Sequence, residues 1–249
     1  MNEQLIDLQN CAPPVTVPLS PSRYAFHAPR KGDGLVGFGG DFAPETIAGA
    51  YREGAFPWPH DVDELWYSPD PRAVIPVAGL HISRRLRRTI RCGRFRVSLD
   101  RAFEQVIAGC AGREEGTWIT PAIIVAYSEL HDRGWAHSFE VWTADDELVG
   151  GLYGLGVGAM FGAESMFHRV SDASKVAMVA LVEHAARIGV ELIDVQVLTE
   201  HTARMGAVEV PRAEYLRRLE GALRREVDWS GSVGGAGSRG YLDGSERIR

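Results

Sequence analysis

The string LIDVQVLTEH, residues 192–201, sets a carboxylate, Asp194, two positions from a carboxamide, Gln196, inside an apolar run of Leu192, Ile193, Val195, Val197 and Leu198. Such a run predicts a buried strand, in which residues i and i+2 face the same way. An acid and an amide on an oily surface cost free energy unless each finds a partner. The face they share is therefore either a polar junction or the lining of a site. A second concentration of chemistry lies upstream. Residues 72–99 carry Arg72, Arg84, Arg85, Arg87, Arg88, Arg91, Arg94 and Arg96 and no acidic residue. Ser83 in HISRRLRRTI can cap a short helix that displays several of these cations. The run is either a solvated face or a polyanion site.

Several elements must hold these groups in place. Residues 1–30 contain Pro13, Pro14, Pro18, Pro21 and Pro29 and read as irregular. The glycines Gly34, Gly37, Gly39 and Gly40 lack the spacing of a phosphate loop and read as turns. Pro44 opens a short helix through Arg52. The segment PWPHDVDELWYSPDPR reads as a loop between domains. The boundary is expected near Arg72, giving a small N-terminal domain over 1–71 and a larger one over 72–228. DRAFEQVIAGCA, capped by Asp100, and TPAIIVAYSELHDRG, capped by Thr120, have helical spacing. SFEVWTADDELVGGLYGLGVGAMFGAESMF reads as three strands. DASKVAMVALVEHAARIG is a helix capped by Asp172, closed by Gly189 and apolar nearly all round, hence buried against the sheet. The strand of Asp194 follows, then a helix near Thr202 and an amphipathic one, EYLRRLEGALRRE. Residues 229–249, rich in Gly and Ser, read as a disordered tail. This order predicts an α+β fold, a mixed sheet packed by helices.

The totals exclude several classes. The 249 residues carry a formal net charge of −6, which argues against a general nucleic-acid coat. Cys11, Cys92 and Cys110 form neither a disulfide framework nor a zinc module and suit a reducing cytoplasm. The opening MNEQLIDLQNCAPPV has no basic stretch leading into an apolar run, and no segment reaches the length of a membrane span. A cytoplasmic protein without signal peptide or membrane contact is expected. The histidines show no metal-binding spacing, so no metal is expected; no cofactor is expected either.

Four strings, FPWP with WYSPDPR (56–72), EEGTWIT (114–120), FGAESMF (161–167) and LIDVQVL (192–198), together with LHISR, AHSFEVW, DELVGG and GAVEVPR, run collinearly from about residue 30 to 220. In them the chain resembles the leucyl/phenylalanyl-tRNA–protein transferases. The resemblance implies an acetyltransferase-like (GNAT-like) C-terminal domain and an aminoacyltransferase acting as a monomer. It would move Leu, Phe or Met from aminoacyl-tRNA to proteins beginning with Arg or Lys, marking them for degradation. It places Trp58 and Trp118 on the two faces of the terminal adenine. Leu152, Phe161, Met166, Met178, Leu181 and Ile193 fall at positions of the pocket for the amino-acid side chain. Asp194 and Gln196 match the catalytic pair, with Asp194 accepting a hydrogen bond from the Gln196 amide and Gln196 contacting the incoming α-amine. Glu164 becomes a partner for a substrate ammonium group. Arg84, Arg85, Arg87, Arg88 and Arg91 become contacts for acceptor-stem phosphates, which position without specifying. Tyr67 stands where the family commonly has a second tryptophan. Two other readings compete: a CoA-dependent N-acetyltransferase of the same fold, against which the glycine-free turn HRVSDAS counts, and a non-catalytic RNA-binding protein, which leaves Asp194 and Gln196 unexplained.

Overall fold

A computed structural model describes residues 16–20, 22, 24–27, 34–59, 64–112 and 116–229. The expectations for residues 1–15 and for the tail beyond Trp229 lie outside these. Trp229 itself, expected to open the tail, is buried, its ring stacked 4.5 Å from that of His137 and tilted 5.0 Å from that of Phe161.

The described residues form two sheets. The smaller is antiparallel, with β1 (Leu35–Phe38), β2 (Phe56–Pro57) and β3 (Leu65–Tyr67) in the order β1-β3-β2, and the helix α1 (Pro44–Arg52) beside it. The segment expected as a plain loop between domains thus contains a strand, β3, because its Trp66 is fully buried. The larger sheet has seven strands: β4 (Arg72–Ile75), β5 (Arg96–Leu99), β6 (Ala136–Trp142), β7 (Leu148–Val157), β8 (Met160–His168), β9 (Leu192–Gln196) and β10 (Val208–Val210). Their order is β10-β4-β9-β8-β7-β6-β5. Every pairing is antiparallel except β8 with β9. That parallel pair needs a long crossover, which the buried helix α5 (Ala173–Ile188) supplies before stopping at Gly189, whose φ of 88° suits glycine. The fold is mixed α+β.

Helices cover both faces of the large sheet, as its two apolar sides require. On one face α3 (Phe103–Ala111), α4 (Pro121–Asp132), α1 and α7 (Arg212–Leu223), which follows the short α6 (Glu200–Arg204), share a core with the small sheet. Val36, Tyr51, Phe56 and Trp66 pack in one cluster with Phe103, Tyr127, Tyr153 and Tyr215. On the other face α5 buries Val176, Met178, Leu181 and Val182 against Phe139, Leu152, Phe161 and Ile193, with Leu86 of α2 (Arg84–Arg91) at the margin.

Caps fall where local chemistry decides. Thr120 accepts from the Ile123 N–H and Ser83 from the Leu86 N–H. Two expected caps act otherwise. Asp100 lies outside α3 with φ 59°, and its carboxylate takes the Ser138 N–H at 2.7 Å and stands 2.7 Å from His137 Nδ1. Asp172 holds the cap position of α5, yet its side chain faces Arg85 and Lys175, each at 3.3 Å.

Candidate active site

Parallel pairing between β8 and β9 runs through Met160↔Leu192, Phe161↔Ile193 and Gly162↔Asp194. Beyond that point β8 continues to His168 while β9 ends at Gln196, so the two strands part. The gap opens into a cleft of about 950 Å³ lined by Phe56, Trp58, Trp118, Leu152, Glu164 and Met166, with Gln196 in its floor. Trp58 follows β2 and is held by its N–H on Leu65 O at 2.8 Å, its ring 5.7 Å edge-on from that of Tyr67. Trp118 reaches the same cleft from the turn before α4. Both indoles are partly exposed, as stacking platforms must be.

Gln196 is not in a regular strand conformation. Its φ is +58°, a left-handed geometry that is uncommon outside glycine and tends to be kept where function holds it. Its main-chain N–H donates to Asp194 Oδ1 at 2.9 Å. The expected contact between Asp194 and the Gln196 side-chain amide is therefore made through the main chain instead. The turned backbone sends the carboxamide elsewhere. With its nitrogen toward the strands, Nε2 donates to Ala163 O at 3.0 Å and Val195 O at 3.3 Å, bridging β8 and β9 where their own pairing has ceased. The carboxamide oxygen then faces Glu164, whose Oε1 lies 3.4 Å from that end of the side chain.

Glu164 borders the cleft and accepts a short hydrogen bond from the Tyr51 hydroxyl. Tyr51 approaches so closely because position 162 is glycine. A Cβ there would stand 2.6 Å from the Tyr51 ring. Burial raises the Glu164 pKa to about 8, against the Tyr51 hydrogen bond, with the Asp194 charge adding to the rise. At neutral pH the group is mostly the uncharged acid, able to donate to the Gln196 oxygen.

Asp194 does not line the cleft. It is fully buried behind it, in a bidentate ion pair with Arg72 (Nε–Oδ1 2.9 Å, Nη2–Oδ2 2.6 Å), and accepts from the Tyr215 hydroxyl at 2.8 Å. Burial disfavours the Arg72 charge, but the neighbouring carboxylate outweighs it and the Arg72 pKa stands above its ordinary value. Arg72 thus stands apart from the other arginines of residues 72–99: it is sealed in the core and faces neither solvent nor a polyanion.

The remaining sequence expectations divide by position. Arg84, Arg85, Arg87, Arg88 and Arg91 all stand exposed on α2, Arg85 sharing Asp172 with Lys175. Leu152 and Met166 line the cleft, whereas Phe161, Met178, Leu181 and Ile193 are fully buried in the core behind its wall. Sequence reasoning missed Tyr51 and Tyr215, whose hydroxyls donate to Glu164 and Asp194. A signal existed for Arg72, a lone cation heading the apolar run RAVIPVAGL. Nothing local marks the tyrosines. Among the described residues no cluster of three His, Cys, Asp or Glu is arranged to hold a metal, and no helix is long and apolar enough to cross a membrane.

Comparison with known proteins agrees with the four strings. The family model "Leucyl/phenylalanyl-tRNA protein transferase" matches residues 74–220, and that of the same family's N-terminal domain matches residues 40–70. The chain is 55% identical over 198 residues to the leucyl/phenylalanyl-tRNA–protein transferase of Anaeromyxobacter sp. (strain Fw109-5), covering 78% of this chain and 84% of that one. It is 50% identical over 192 residues to that of Proteus mirabilis (strain HI4320), covering 76% and 83%. With that of Escherichia coli O1:K1 / APEC it shares 49% identity over 209 residues, covering 82% and 89%. A solved structure, "The structure of L-PGS from Bacillus licheniformis", aligns with a TM-score of 0.40 at 11% identity, over 61% of this chain and 56% of that one; at that score the likeness carries no argument. The chain belongs to the leucyl/phenylalanyl-tRNA–protein transferase family.

Proposed function

We propose that this protein transfers Leu, Phe or Met from aminoacyl-tRNA to the N-terminal amine of acceptor proteins beginning with Arg or Lys, a step that marks them for degradation. In the reaction the acceptor nitrogen attacks the ester carbonyl. A C–N bond forms, the C–O bond to the terminal ribose breaks, and the proton shed by the amine passes to the departing ribose oxygen. No cofactor is needed. The reaction is favoured by a docked 3′ end, a pocket for the aminoacyl side chain and ordered polar groups at the carbonyl. We assign the terminal adenine to Trp58 and Trp118, and the side chain to the wall of Leu152 and Met166 backed by Phe161, Met178, Leu181 and Ile193. The α2 arginines are assigned to acceptor-stem phosphates.

The observation that carries this reading is the convergence of both indoles, Glu164 and the Gln196 carboxamide on one cleft. A carboxamide is too weak a base to remove a proton, so Gln196 aligns the attacking amine through its oxygen. Glu164 complements it. As an uncharged acid it does not stabilise the ammonium form of the acceptor, so the nucleophile enters neutral. The division near residue 72, the acetyltransferase-like character of the larger unit, a cytoplasmic setting and action as a monomer belong to the same proposal. A CoA reading is disfavoured by Asp172, whose carboxylate sits at the head of α5 where a pyrophosphate would have to bind.

The test is transfer of radiolabelled Phe from Phe-tRNA to peptides beginning with Arg, Lys, Asp or Ala, followed from pH 6 to 9.5 with a peptide-free blank for ester hydrolysis. Arg and Lys peptides are expected to be labelled. The rate should rise as the acceptor amine, ordinarily of pKa about 7.7–8.0, loses its proton. It should fall as Glu164 ionises above pH about 8, giving a narrow bell. Glu164→Gln should remove the falling limb. Absence of label from the Arg and Lys peptides contradicts the function, and an equal fall in both proteins contradicts the role of Glu164.

A further inference from the structure

We infer that Arg72 and Tyr215 are positioning residues for the transfer, acting through Asp194 on the main chain of Gln196. The inference rests on the assignment of Gln196 to the reaction and adds what holds it there. Arg72 heads β4, and Tyr215 lies on α7 behind the sheet. Both are fully buried. The guanidinium packs on two rings, its carbon 4.6 Å from the centroid of Phe56 and 4.5 Å from that of Tyr215. Its Nη1 donates to Gly54 O at 3.1 Å, tying the turn after α1 to the same point. Asp194 meets this cage with both oxygens. Oδ2 takes Arg72 Nη2 and the Tyr215 hydroxyl, while Oδ1 takes Arg72 Nε and the Gln196 N–H. The carboxylate is thus a rivet between the buried cation and one main-chain amide.

The amide in question belongs to the residue with φ +58°. The register explains why a rivet is needed. On β4, Ala73 and Val74 are neighbours, but their partners on β9 are Gln196 and Asp194, so β9 carries one extra residue, Val195, at this point. Such a bulge turns the strand and re-aims the side chain that follows. The Oδ1 hydrogen bond braces the bulged end from which the carboxamide bridges to Ala163 O and Val195 O. Phe56 adds a second link, since the ring resting on Arg72 also lines the cleft beside Trp58. A carboxylate already held by two strong donors, with no contact to the carboxamide, acts on Gln196 by shape and not by relaying charge.

The test reads the coupling to Gln196, which a purely structural ion pair would lack. Tyr215→Phe removes one hydrogen bond to Asp194 and keeps the ring on Arg72. It is expected to lower kcat about tenfold, the scale of one hydrogen bond to a charged group, with the KM for Phe-tRNA within about twofold of the parent. In a Gln196→Gly background, which has no carboxamide to position, the same substitution should change single-turnover rates less than about twofold, the signature of residues acting as one unit. Arg72→Lys should lower kcat further. If that variant does not fold, the Tyr215 cycle decides alone. An equal loss from Tyr215→Phe in both backgrounds, or no loss in the parent, overturns the inference while leaving Gln196 in its role. A wild-type rate for Gln196→Gly by itself overturns the assignment of Gln196 on which the inference stands.

Discussion

Gln196→Gly is expected to lower the rate of peptide labelling about 10²–10³-fold, the scale of losing an oriented polar group at a reacting carbonyl, while tRNA affinity stays within about twofold. Glycine is the informative replacement because position 196 is left-handed. Alanine there would combine loss of the carboxamide with backbone strain, whereas glycine accepts that conformation freely. The pair of variants separates the two effects. Both should be slow, but Gln196→Gly should be the more stable by about 1 kcal/mol. Single-turnover rates with saturating Phe-tRNA, alongside urea unfolding, measure both quantities. A Gln196→Gly enzyme at the parental rate would remove the carboxamide from the chemistry.

Asp194→Ala should be damaging for a different reason. It strips the partner from a guanidinium that is fully buried, and breaking a buried pair from one side typically costs about 3–5 kcal/mol. Against a total stability of about 5–15 kcal/mol that is a large fraction, so the variant should unfold at clearly lower urea and show almost no transfer. Replacing both partners by apolar residues, Arg72→Met with Asp194→Leu, should recover much of the stability and none of the activity. That split distinguishes a carboxylate wanted for its place in the site from one wanted for folding. Recovery of transfer along with stability would contradict the account.

How far the sequence disclosed these features depended on the range of the forces involved. Helix α4 was legible from Thr120 and its helical spacing, and α5 from its apolar stripe and Gly189, because caps and stops are set by residues a turn apart. Strands β6 to β8 were legible because tight turns join them in chain order. The short strands β3, β4 and β10 were not, since their pairing partners lie elsewhere in the chain. Charge misled for the same reason: Arg72 looked unpaired in its own segment, and its counter-ion is 122 positions away. Asp100 looked like a cap and was claimed by His137 and Ser138 instead. For the site, side-chain chemistry located Asp194 and Gln196, but the alternation of a regular strand assumed that they share a face. The bulge and the left-handed residue separate them, leaving one sealed below the cleft and the other in its floor.

In the proposed reaction the cleft between Trp58 and Trp118 seats the aminoacylated 3′ end, with Gln196 beside the carbonyl. A crystal structure with a non-hydrolysable phenylalanyl-amide analogue of the terminal adenosine tests this most directly. Adenine between the two indoles, the phenyl group against Leu152 and Met166, and the carbonyl carbon next to the Gln196 oxygen is the predicted result. The analogue bound elsewhere, or bound in the cleft with its carbonyl turned away from Gln196, would contradict it.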